Sequence, residues 1–242
     1  MIQDLGIKGF IKTSLVDWPG KVCSVIFLAG CGFRCPACHN RRLVLEPDSI
    51  PDYPVGEILD YLRSRKGWID GITVTGGEPT IRKELPDLLQ RFRGLKIGIK
   101  LDTNGSNPAM LAALVRSGLV DAVFMDVKAP LDNKSYGRVA GVPVDVRLVR
   151  RSIDILKSSS LEVTFRTTAI PGMVEEPQIE AIKQALGNVP RFIVQPFQNR
   201  DTLNEELGRT PPFDQGRVDE MRRRFEEPAR ALFTAGSYAC AG

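Results

Sequence analysis

Val22-Cys23-Ser24-Val25-Ile26-Phe27-Leu28-Ala29 and, two residues on, Cys31-Gly32-Phe33-Arg34-Cys35-Pro36-Ala37-Cys38-His39-Asn40 decide how this chain is read. The first stretch is a nearly unbroken apolar run, which predicts a strand (Val22–Leu28) buried on both faces. The second places three of the five cysteines within eight residues. A strand that ends in a loop of soft thiolates has the construction of a metal site on a rigid base. Three thiolates, not four, is the informative number. Four-iron clusters are commonly held by four cysteines, so a set of three leaves one iron open to a ligand from outside the protein. Two plainer readings stand beside it: simple buried cysteines, or a zinc set of three cysteines completed by His39. Against zinc, no second cysteine pair follows, only Cys23 and Cys240 remaining. Adjacent residues also rarely direct both side chains at one ion.

Working outward, 242 residues suffice for one large core, and a composition 43% hydrophobic is that of a globular protein. The longest apolar stretches run to about eight residues, too short to cross a bilayer. Met1-Ile2-Gln3-Asp4 has neither a basic start nor a following apolar segment, so no signal peptide is expected and a cytoplasmic location is. The net charge of +4 is spread along the chain and calls for neither nucleic acid nor membrane. Arg222-Arg223-Arg224, the one tight basic cluster, reads as the solvated face of a charged helix. Clustered cysteines point to a reducing interior and metal binding, not disulfides.

Strand-like runs recur at Gly71–Thr75, Lys96–Leu101, Asp121–Met125, Glu162–Ala169 and Arg191–Gln195. Helical patterns lie between them at 55–65, 82–92, 110–116, 144–157 and 177–186, with a charged helix at 217–227. Ile7–Lys12 alternates as a short strand or hairpin arm, and Thr13–Gly20 reads as a turn region. Leu232–Thr234 reads as a last short strand before a loose tail. Six strands alternating with helices argue for parallel βα units wound by right-handed crossovers. The expected unit is a single domain over 1–242, with 1–21 an N-terminal and 199–242 a C-terminal extension. Its chemistry belongs at the C-terminal ends of the strands, where such folds assemble active sites.

The marked residues fall there. Gly76-Gly77-Glu78-Pro79 is a bend whose glycines let the main chain approach a ligand and offer it peptide N–H and C=O groups; alone, it is also an ordinary turn. Asp102-Thr103-Asn104 groups a carboxylate, a hydroxyl and an amide, or simply caps a helix. Asp126 and Lys128 share one side of their strand end by the period of two. Arg166, in an otherwise apolar or hydroxylic strand, needs an internal partner if buried. Gln198 closes Gln195-Pro196-Phe197-Gln198 and can donate and accept hydrogen bonds. His39 is the only histidine, so a three-histidine zinc hydrolase is excluded and a histidine-based triad is not expected.

Cys-x3-Cys-x2-Cys on a loop after the first strand resembles the signature of the radical S-adenosylmethionine superfamily. Within it, the chain from about Gly9 to Gln198 is most similar to the activating enzymes of glycyl radical enzymes, in particular activators of anaerobic ribonucleotide reductase. The resemblance implies a partial (βα)6 TIM-like barrel, and a [4Fe–4S] cluster on Cys31, Cys35 and Cys38. It implies S-adenosylmethionine chelated to the open iron and cleaved reductively to a 5′-deoxyadenosyl radical. Gly76, Gly77 and Glu78 match the motif that holds the methionyl amino group. Asp102 and Thr103, beside Asn104, match a pair that helps hold a monovalent cation near the cofactor carboxylate. Asp126 and Lys128 match an Asp-x-Lys motif whose lysine neutralises that carboxylate, and Arg166 matches an arginine near cofactor and partner peptide. Gln198 stands where relatives can have a histidine touching the adenosine, and Ala37 where an aromatic residue often packs near adenine. Asp17-Trp18-Pro19-Gly20 matches a stretch that helps close the substrate end, although plain packing of Trp18 reads as well. The implied partners are a large glycyl radical enzyme as substrate and a flavodoxin or ferredoxin as electron donor. The alternative keeps the radical chemistry and replaces the glycine by a small molecule, a nucleotide or a peptide side chain.

Overall fold

A computed structural model describes residues 5–226. The strand expected at Leu232–Thr234 lies outside the described residues. Seven strands form one sheet in sequential order: β1 (Ile7–Ser14), β2 (Cys23–Leu28), β3 (Gly71–Gly76), β4 (Gly98–Thr103), β5 (Ala122–Asp126), β6 (Glu162–Ala169) and β7 (Phe192–Pro196). β1 pairs antiparallel with β2, and every later pair is parallel. The helices are α1 (Arg41–Leu45), α2 (Val55–Ser64), α3 (Leu85–Arg93), α4 (Pro108–Arg116), α5 (Asn133–Ala140), α6 (Val146–Lys157), α7 (Glu176–Leu186), α8 (Glu205–Gly208) and α9 (Gln215–Phe225). This is the partial barrel with six parallel strands, plus one antiparallel strand at its edge.

Each crossover helix forms for a local reason. α6 starts where Asp145 accepts from the Arg147 N–H, and it buries Val146, Val149, Ile153 and Leu156 on one stripe. α4 starts on Asn107, whose side chain accepts from the Met110 N–H, with Pro108 at the first helical position. The helix expected at 82–92 begins later, at Leu85, with Pro86 in its first turn. β4 likewise begins at Gly98 and not at Lys96, because Lys96 sits at φ +59° in the turn after α3. Asp102 and Thr103 are therefore strand residues. α1, α5 and α8 were not anticipated.

Alternate strand residues sort into two environments. Ile26, Leu28, Ile72, Val74, Ile99, Leu101, Val123, Met125, Phe165 and Val194 face outward into the main core with the helices. The inward positions carry a different chemistry, with Lys100 against Phe124 and with Cys23, Val25 and Ala122 around Trp18. Trp18 corrects one expectation. It is fully buried and its ring lies against Gly71 and Gly98, while its Nε1 donates to Glu162 at 3.2 Å. These three residues begin β3, β4 and β6, so Trp18 closes the N-terminal floor of the barrel, opposite the substrate end. A Cβ on Gly71 would stand 2.7 Å from that ring. Trp18→Phe is expected to cost about 1–3 kcal/mol, from the lost bond and the space left behind. Denaturant unfolding checks this; cluster content per folded molecule should not change.

At the other end of the sheet, α9 lies on β7. The Val194 N–H donates to Glu226 Oε1 at 3.0 Å, and Arg222 Nε donates to the Val194 carbonyl at 3.2 Å. Arg222 is therefore not part of a solvated face as expected, whereas Arg224 pairs with Glu180 on the surface. Among the described residues, no helix is long and apolar enough to cross a membrane.

Candidate active site

The cysteine loop is held from three directions. The Arg34 N–H donates to the Ala140 carbonyl at the end of α5 (2.8 Å), and the Asn204 N–H before α8 donates to the Pro36 carbonyl (3.0 Å). His39 Nε2 donates to the Gln198 carbonyl (2.8 Å), and Asn40 Nδ2 donates to the Gly76 carbonyl (2.6 Å). Phe33 packs edge-on against Tyr136 of α5. The loop is thus fixed to elements on both sides of the barrel mouth.

Gly77 has a close-approach reason to be glycine. A Cβ there would run into the Gly30 carbonyl, which accepts the Glu78 N–H at 2.8 Å. This contact ties the bend after β3 directly to the start of the cysteine loop. Glu78 is fully buried. Its Oε1 accepts from the Thr80 N–H (3.1 Å), the Thr80 hydroxyl (2.5 Å) and the Thr103 hydroxyl (2.7 Å), and its Oε2 from the Asn104 N–H (2.6 Å). Burial pushes its pKa above the usual carboxylate range, against the donors on Asn104, Thr80 and Thr103. Glu78 accordingly does not face the cavity. It joins the β3 bend to the β4 loop through Thr80, Thr103 and Asn104.

A cavity of about 540 Å³ opens at the strand ends, within the range of small-molecule sites. Of the sequence-predicted residues, Cys31, Cys35, Cys38, Gly76, Gly77, Asp102, Thr103, Asn104, Asp126, Lys128, Arg166 and Gln198 all line it. Asp126 stands at the centre of its charges, accepting from Arg166 Nε at 2.8 Å and from Lys128 Nζ at 2.9 Å. Burial alone would raise Asp126, but Arg166 and Lys128 outweigh it and hold the carboxyl down to about 2. The same pairing raises Lys128 and Arg166 against the burial that would lower them. The Lys128 N–H donates to the buried Tyr136 hydroxyl at 3.2 Å. Asn104 Nδ2 reaches Cys31 Sγ at 3.7 Å.

Sequence reasoning missed Lys100, Asn40, Tyr136 and Arg222. For Lys100 a signal existed: it lies two residues before Asp102 in the same strand, so both side chains share a face. Arg222 carried none, because its place depends on how α9 packs.

The three thiols fit an iron–sulfur cluster better than zinc. They form no disulfide, and they stand around one cavity. Among the described residues, no three His, Cys, Asp or Glu side chains form a group able to hold one ion. His39 turns its Nε2 to Gln198. Burial raises Cys31 to about 11 and Cys35 likewise upward; bound metal deprotonates such thiols outright.

The Radical SAM superfamily model matches residues 25–185. A protein of Methanocaldococcus jannaschii, provisionally named a glycyl-radical enzyme activating enzyme, is 30% identical over 221 residues, 89% of either chain. The pyruvate formate-lyase-activating enzyme of Staphylococcus epidermidis is 28% identical over 200 residues, 75% of this chain and 76% of that one. The structure of Streptococcus suis SuiB bound to precursor peptide SuiA superposes with a TM-score of 0.62 at 17% identity, over 83% of this chain and 44% of that one. By its strand-end cysteine loop, its barrel and these matches, the chain belongs to the radical S-adenosylmethionine superfamily, whose enzymes use a [4Fe–4S] cluster and S-adenosylmethionine.

Proposed function

We propose that this enzyme activates a glycyl radical enzyme, taking a hydrogen atom from a glycine of a large partner protein. The observation that carries the reading is the M. jannaschii relative, which this chain matches over 89% of both lengths. When bound, the cluster and cofactor supply a 5′-deoxyadenosyl radical by one-electron cleavage, with a flavodoxin or ferredoxin as the proposed electron donor. The chain's own residues bind and orient. Cys31, Cys35 and Cys38 hold the cluster, and Asn104 donates toward Cys31. The backbone of Gly76 and Gly77 takes the methionyl amino group, with Glu78 fixing the bend behind it. Lys128 meets the methionyl carboxylate, Asp126 and Arg166 hold Lys128 in place, and Gln198 reaches the adenosine.

Lys128→Ala is expected to weaken S-adenosylmethionine binding about tenfold to a hundredfold, the value of a charge-assisted bond. Titration against the reduced-cluster signal measures it, and unchanged affinity in a folded variant removes Lys128 from the site. The function itself is tested by anaerobic incubation with candidate glycyl radical enzymes. A glycyl doublet in the partner, with deuterium passing from its labelled glycine into 5′-deoxyadenosine, is the expected result. Label arriving from a metabolite, with no protein radical from any candidate, overturns it.

A further inference from the structure

Lys100 is a buried cation inside the barrel, with its side chain 1% exposed. It points inward from β4, below the cavity. Its Nζ donates to Asp102 Oδ1 at 2.5 Å and lies 4.2 Å from the centroid of the Phe124 ring. Arg166 also faces that ring, and its Nη2 stands 3.7 Å from the same Asp102 oxygen. Two cations therefore already converge on Asp102. Thr103 is committed as well, donating to Glu78 at 2.7 Å and accepting the Gly105 N–H at 3.1 Å. A monovalent cation at Asp102–Thr103, as the resemblance implies, does not fit this arrangement. It would enter beside two like charges and compete for an oxygen that an ammonium holds.

Lys100, Arg166 and Lys128 face Asp102 and Asp126 in one connected network, so cations already outnumber the carboxylates they pair with.

We propose that Lys100 is the built-in counter-ion of Asp102, a tethered ammonium in place of a monovalent cation, so that cofactor binding in this chain is independent of alkali metal. Lys100 is a positioning residue: it touches no part of the cavity and acts through Asp102 and Arg166. The inference rests on the reading of the cavity as the S-adenosylmethionine pocket, and is indifferent to whether the hydrogen donor is a protein glycine or a small molecule. Burial, with the neighbouring Arg166, lowers the lysine's pKa from its ordinary value, and Asp102 opposes them. The carboxylate and the aromatic face beside the ammonium act toward the charged form.

The test is S-adenosylmethionine binding to the full-length protein carrying its cluster, by calorimetry and by the reduced-cluster signal, independently of turnover. Chloride salts of potassium, sodium and tetramethylammonium are compared at equal ionic strength. The wild type should bind equally in all three. Lys100→Met should lose about tenfold or more in tetramethylammonium and regain affinity with potassium, a response that mere loosening of the fold would not give. Should that variant not fold, Lys100→Met with Asp102→Asn removes both charges together and avoids an isolated buried carboxylate. It is expected to bind weakly in every salt, with no gain from potassium. A wild type that needs potassium overturns the proposal, as does either variant binding like the wild type in tetramethylammonium. A wild type with full cluster that binds no cofactor in any salt overturns the pocket reading, and this inference with it.

Discussion

Cys35→Ala protein, reconstituted anaerobically, should contain almost no iron or sulfide and show no cluster signal at low temperature, while folding normally. The three cysteines line one cavity and form no disulfide, and Cys23 sits buried in the floor beside Trp18, where it cannot substitute. Two thiolates do not hold a four-iron cluster that already lacks its fourth. The fold should survive because the loop is fixed by backbone bonds at Arg34 and Pro36 and by His39 and Asn40, none of which uses the Cys35 sulfur. Cys31→Ala and Cys38→Ala should behave alike. A full cluster in any of the three, or stoichiometric zinc in native protein prepared without air, would defeat the assignment.

Asp126→Asn should cost about 2–3 kcal/mol of stability, because it leaves two partly buried cations, Arg166 and Lys128, without their shared carboxylate. Both bonds are short, 2.8 and 2.9 Å. The pH dependence has a definite sign. Asp126 is depressed to about 2 from an ordinary 3.8, so its contribution is complete above about pH 4 and is lost as pH falls toward 2. That contribution is about 2 kcal/mol, and the variant should lack this part of the acid dependence. Unfolding midpoints at pH 7 and across pH 5 to 2 give both numbers. A variant as stable as the wild type at pH 7 would mean that Asp126 does not hold the two cations.

How far the sequence carried the site depends on whether its chemistry was local. The thiols, the Gly76-Gly77 bend and the Asp-x-Lys pair are contiguous, and strand ends position contiguous residues without further help. The six parallel strands were legible for the same reason: each is a short apolar run bounded by turn residues, and β6 begins and ends where the alternation does. What was not legible required knowing which side of a strand faces in, or which end of the barrel a turn reaches. Trp18 belongs to a turn that carries no direction, and its contacts with Gly71, Gly98 and Glu162 place it at the floor. Glu78 carries no sequence sign of the donors that surround it, Thr80, Thr103 and Asn104. α5 begins at an Asp132 cap and stops at Gly141 with φ +69°, but Gly137 inside it hid the pattern.

The bonds from Glu226 and Arg222 to Val194 bear on how anything long can approach. With its N–H and its carbonyl both taken by helix side chains, Val194 offers no ladder to a visiting polypeptide, and Pro196 at the end of β7 has no N–H to give. Strand addition, one mode of peptide capture, therefore finds neither ladder bonds at Val194 nor a donor at Pro196 on this flank. For the proposed protein partner, recognition would then fall to side chains at the strand ends, at the mouth and not on the barrel wall.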